Sequence, residues 1–138
     1  MGKRHPIFTD EHELLRDSLR RFIAAEIAPH ADEWEAQGSF PHREVFERFG
    51  ELGFLGINLP EEYGGSAAGF VASIVFTEEM TGCNSGGVAA SIGLQANIAL
   101  PYVADSGTEE QKRKYLVPGV KGELIGSLGV TEPGAGSD

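Results

Sequence analysis

The chain has 138 residues, 41% of them hydrophobic, which suits one domain whose core needs no staple. Eleven basic against 21 acidic residues give a formal net charge of −10, a balance that repels nucleic-acid phosphates and anionic lipid surfaces. The single cysteine, Cys83, excludes an internal disulfide and suits a reducing compartment. The N-terminal stretch MGKRHPIFTDEHELL turns acidic and amphipathic instead of entering an apolar run. No signal peptide and no membrane span are expected, and the cytosol, or a mitochondrial matrix after loss of a presequence, is the expected location.

Thr9 is a good N-cap, Asp10 and Glu11 favour the positive end of a helix dipole, and Leu15, Leu19, Phe22, Ile23 and Ile27 recur at helical spacing. Pro29 should kink this first helix, because the residues from Ala31 to Ala36 remain helix-prone. Gly38 and Ser39 break the pattern, Pro41 opens a second helix with Val45, Phe46, Phe49 and Leu52 as its stripe, and Gly53 ends it. The stretch LGINLPEEYGG is a structured turn, and a third helix runs from about Gly69 to Met80. Between Ser85 and Ile98 small and apolar residues alternate without a polar face, the pattern of a helix covered on most sides. Pro101 marks a kink or a fresh start. Thr108 and Gln111 form a capping box for a last helix, which Pro118 and Gly119 are expected to stop.

The final segment differs in kind. Leu124, Ile125, Leu128 and Val130, spaced by Gly126, Ser127 and Gly129, read as a strand, and a solitary strand has no place for its amides and carbonyls. The expected fold is therefore an all-α bundle over residues 1–122, with residues 123–138 as the first strand of a β domain outside this sequence. The closing octapeptide TEPGAGSD, Thr131 to Asp138, combines a proline-stiffened turn, two glycines that permit unusual backbone angles, and the hydroxyls of Thr131 and Ser137. On spacing alone it is a tight turn; a dinucleotide fingerprint fails, since no third glycine or following helix accompanies Gly134 and Gly136.

With its preceding strand, TEPGAGSD resembles the N-terminal signature of the acyl-CoA dehydrogenase family. The stretches HADEWEAQGSFPHREVFERFGELGFLGINLPEEYGG and TEEQKRKYLVPGVKGELIGSLGVTEPGAGSD resemble that family's early helices and its passage into the first strand. The resemblance implies an N-terminal helical domain followed by a β domain and a second helical domain, with FAD held between the later two and by a neighbouring subunit. It implies that Leu128, Val130 and Thr131 lie along the flavin ring and its pyrimidine edge. Gly136 and Ser137 would stand at the pyrophosphate, where small side chains let amides approach the charge. Leu128 departs from the aromatic residue that many members carry there.

The chemistry implied is α,β-dehydrogenation of an acyl-CoA by a carboxylate base and the flavin. No glutamate here aligns with that base, so no catalytic residue is assigned. Gly93 and Ser137 are the expected substrate contacts; Gly93 stands where medium-chain members carry a larger side chain, which favours long or branched acyl groups, unless it merely permits close helix packing. The partners implied are the acyl-CoA, an electron-transfer flavoprotein or similar acceptor, and further copies of the full-length chain. Acyl-CoA oxidases and flavin monooxygenases share the helical start, and a non-catalytic helical module is the reading from another class. His5, His12, His30 and His42 lack ligand spacing, so no metal is expected. Cys83 reads as a structural thiol and Trp34 as packing.

Overall fold

The computed structural model describes residues 5–136, which fold as an all-α bundle. Helix α1, Asp10–Phe22, begins at Thr9, whose hydroxyl accepts the His12 amide while the His12 ring accepts the Thr9 amide. It passes through a π turn, Ile23–Ile27, and a 3₁₀ turn, Ala28–His30, into α2, Ala31–Gln37. Helix α3 spans His42–Glu51 and α4 spans Phe70–Met80. A long run, Gly86–Ser106, contains α5 (Gly86–Leu94), a π turn (Gln95–Ala99) and α6 (Leu100–Ser106). The last run comprises α7 (Glu109–Gln111), a π turn (Lys112–Leu116) and α8 (Val117–Val120).

Each π turn directly precedes a proline. The amides of Ala28, Leu100 and Val117 reach back five residues, to the carbonyls of Ile23, Gln95 and Lys112, and Pro29, Pro101 and Pro118 follow at once. A proline within a helix lacks its own amide and its ring crowds the carbonyl four residues back. Widening the turn before it relieves that crowding without ending the helix. Helical structure thus continues past both Pro29, through the 3₁₀ turn into α2, and Pro101, within α6. Pro118 does not stop its helix, which continues to Val120; the chain turns at Gly122, whose φ of 79° is left-handed.

The core gathers the apolar stripes of these helices: Leu19 and Phe22 from α1, Phe46 and Phe49 from α3, Val75 and Phe76 from α4, Ile92 from α5 and Leu116 from the last run. Phe22 meets Phe49 edge-on at 4.8 Å between ring centres, a favoured aromatic arrangement. Arg16 and Arg20 of α1 reach across to Glu78 and Glu79 of α4, with nitrogen–oxygen distances from 2.7 to 3.0 Å. Helix α3 and the turn after α8 interlock through glycine: a Cβ at Gly50 would overlap the Lys121 carbonyl, and one at Gly122 would overlap the Phe46 carbonyl.

Two expectations are corrected. The Gly86–Ser106 run is not covered on most sides; Val88, Ile92, Gln95 and Leu100 face the core, while Asn97, Ile98 and Tyr102 are exposed. This 21-residue run is also long and apolar enough to cross a membrane by length and composition. Secondly, residues 124–130 leave the helical body but form no strand, and the β pairing among the described residues is the isolated bridge between Glu132 and Ala135. A segment with no neighbouring strand has no ladder to join.

Candidate functional site

The non-helical tail leaves the bundle beneath α8. The Glu123 and Leu124 amides donate to the Pro118 carbonyl at 3.0 and 3.3 Å, and Gln95 then takes over. Its side chain is wholly buried, and its Nε2 donates to the carbonyls of Gly119 at 3.1 Å and Leu124 at 2.9 Å. Its Oε1 accepts the Gly126 amide at 2.7 Å. The tail lies so close that a Cβ at Gly126 would stand 2.8 Å from that of Ala99.

Beyond Gly126 the tail is free of the bundle. Among the described residues, no backbone amide or carbonyl from Ser127 to Thr131 has a hydrogen-bond partner, although exposed Leu128 and Val130 make this an apolar-sided segment. The Ala135 amide returns to the Glu132 carbonyl at 3.2 Å, closing a turn over Pro133 and Gly134. Gly134 and Gly136 are not among the glycines with positive φ, and what they supply is open space around the backbone. A row of unpaired donors and acceptors beside small residues fits a planar polar ligand edge and an anionic group. The structure therefore places Leu128, Val130, Thr131 and Gly136 on one exposed segment, while Ser137 lies outside the described residues.

Gly93 belongs to a different surface. It sits on α5 with nothing within 4 Å of a Cβ placed there, so close helix packing does not explain it. Farther along the same run an apolar groove of about 630 Å³ opens between α4 and the long helical run, lined by Phe70, Ile74, Thr77, Ala96, Asn97 and Pro101. Gly93 does not line this groove. The Asn97 amide reaches the Thr77 hydroxyl at 3.4 Å across it.

The groups set aside in the sequence have packing roles. His30 stacks on Trp34 at 5.2 Å and His42 on Phe40 at 4.0 Å, while His5 and His12 meet Phe8 edge-on. Cys83 is fully buried, and burial pushes its thiol up to about 11, far from a nucleophile's range. The residue that sequence reasoning passed over is Gln95, the buried side chain that binds the tail. A signal was present: Gln95 is one of only two side-chain amides, with Asn97, amid the small and apolar residues of ASIGLQANIAL.

The described structure is thus a helical body from whose last turn runs an exposed glycine-bearing segment. The chain belongs to the acyl-CoA dehydrogenase family: the family's model, described as acyl-CoA dehydrogenase, N-terminal domain, matches residues 9–123. The mitochondrial long-chain specific acyl-CoA dehydrogenase of Mus musculus is 42% identical over 132 residues, covering 96% of this chain and 30% of that protein. The crystal structure of an acyl-CoA dehydrogenase from Geobacillus kaustophilus matches with a TM-score of 0.88 at 41% identity, over 98% of this chain and 35% of the other. An acyl-CoA dehydrogenase from Bacillus anthracis, complexed with FAD, matches with a TM-score of 0.85 at 37% identity, over 98% of this chain and 23% of the other. The chain thus spans about a third or less of the length of these relatives.

Proposed function

We propose that this chain is the N-terminal part of an FAD-dependent acyl-CoA dehydrogenase, with residues 1–122 as its helical domain and 123–138 as the opening of the β domain. The observation that carries this reading is the unpaired backbone from Ser127 to Thr131, presented by a helical body of the right family and running into TEPGAGSD. Backbone groups at Leu128 and Val130, with the Thr131 hydroxyl, would hold the pyrimidine edge of the flavin. Gly136 and Ser137 would let amides approach the pyrophosphate. When bound, FAD accepts the substrate's β-hydrogen as hydride.

The residues of this chain bind and orient; none is assigned as the base that removes the α-proton. Gly93, with open space at its Cβ, supports a deep slot for long or branched acyl chains, and Ser137 is proposed beside the acyl-CoA. The Gly86–Ser106 run serves as a bundle helix and not a membrane span, a reading supported by buried Val88, Ile92, Gln95 and Leu100. An electron-transfer flavoprotein or similar acceptor and a homo-oligomeric assembly complete the proposal. Cytosol or mitochondrial matrix suits the lone buried thiol of Cys83.

The test compares the polypeptide extended past Asp138 with the 138-residue chain. The extended protein is expected to be yellow with FAD and to pass electrons from acyl-CoA to a ferrocenium-type acceptor, favouring long or branched chains over butyryl-CoA. Peroxide formation in place of acceptor reduction assigns it to the oxidases, and a sharp butyryl-CoA preference removes the deep-slot reading. The 138-residue chain is expected to retain no flavin; a stoichiometric FAD complex would overturn the proposed division of the site.

A further inference from the structure

We propose that Gln95 is the positioning residue that fixes the register of the flavin-facing segment on the helical body, an inference that rests on the FAD reading above. Its primary amide offers two donors and an acceptor at one end of one side chain, and all three functions are spent on the tail and its approach. The donors take the carbonyls of Gly119 and Leu124, and the acceptor takes the Gly126 amide. Glutamate keeps the acceptor and loses both donors, lysine lacks the acceptor, and asparagine is one methylene too short to span the same gap.

Among the described residues, the Gly126 bond is the last hydrogen bond between the helical body and the tail. Leu128 and Val130 follow at steps of two, so in an extended chain their backbone groups inherit the facing of Gly126. A slip of one residue turns every one of them to the opposite side. Gly126 is itself matched to this role: a Cβ there would stand 3.0 Å from Gln95 Oε1 and 2.8 Å from the Ala99 Cβ. The lock is therefore built from both sides, an amide on the helix and a missing side chain on the tail. The adjacent π turn is part of it, since the Leu100 amide bonds the Gln95 carbonyl and anchors the residue's own backbone.

Two measurements separate register control from plain core packing. In the 138-residue chain, Gln95→Leu and Gln95→Met, which remove the acceptor along with both donors, are expected to speed exchange of the Gly126 amide about tenfold or more, with α1 and α4 amides unchanged. In the extended protein the same variants are expected to weaken FAD binding about tenfold, the loss of roughly one good hydrogen bond, and to shift the visible flavin spectrum. Gly126→Ala approaches the lock from the tail with Gln95 intact and is expected to give the same spectral shift. Faster Gly126 exchange with unchanged FAD affinity and spectrum would reduce Gln95 to a packing residue and overturn the proposal. Unchanged Gly126 exchange would overturn it at its structural root, and a wild-type extended protein that binds no FAD would instead sink the functional reading on which it rests.

Discussion

Glu79 receives three guanidinium hydrogen bonds, one from Arg16 and two from Arg20, while Arg16 also donates to Glu78 and lies over the Phe8 ring at 5.1 Å. Burial pushes the Glu79 carboxyl up, but the hydrogen bonds from Arg20 and Arg16 outweigh it and hold the group below its ordinary value of 4.5. A carboxylate whose folded value is depressed stabilises the fold fully above the ordinary value and loses that contribution as pH falls through the depressed one. Glu79→Gln is therefore expected to cost about 1–2 kcal/mol near neutrality, between the values for exposed and buried pairs. In urea titrations the gap from wild type should shrink as pH drops below about 4.5; a pH-independent gap would mean that shape, not charge, matters here. Little of this was legible in the sequence, because Arg16 and Glu79 are 63 positions apart and meet only when α1 lies along α4. Thr9 was legible as a cap, since capping is local, but its reciprocal partner at the third position is His12 in place of the usual Glu or Gln.

Ser85 shows how one hydroxyl can start an element and dock it. It accepts the Val88 amide at 3.3 Å, capping the long Gly86–Ser106 run, and donates to Glu35 of α2 at 2.5 Å. Ser85→Ala is expected to cost about 1–2 kcal/mol in chemical denaturation, a lost cap together with a lost tertiary hydrogen bond. Ser85→Asp supplies a cap acceptor but sets a second carboxylate against Glu35, so it should fail to restore stability at neutral pH; full recovery would show that the cap alone carries the effect. The order of helices was legible because apolar periodicity and caps are local signals, and Pro41, Gly53 and Thr108 fell where the structure uses them. The π turns were not, since proline announces a disturbance but not whether the helix runs on through it, and at Pro118 it runs on to Val120. The tail sequence looked like a strand because its composition is that of one, yet strand geometry depends on a neighbour that composition does not supply.

Across the molecule, several large apolar side chains stay open: Phe70, on the wall of the groove, is 74% exposed, Tyr102 71% and Val130 76%. Exposed apolar area of this kind drives association, opposed here by the repulsion of a net charge of −10. The 138-residue chain is thus expected to self-associate in sedimentation experiments, more strongly as salt rises toward about 1 M, where the screening length is ~3 Å. A monomer at every salt concentration would show that these side chains need no cover. Family and bundle were legible from a short signature and from periodicity, whereas the unpaired tail, its Gln95 anchor and the open side chains depend on which surfaces meet. The glycine interlock carries a further consequence for how the chain is made. With Gly50 seated under the Lys121 carbonyl and Gly122 under that of Phe46, α3 has no finished bed until translation has passed residue 122. A nascent chain halted in the middle of the long helix can already pack Phe49 on Phe22 and Phe54, but it lacks the backbone that seats against Gly50 and Phe46, so this last contact closes only late in synthesis.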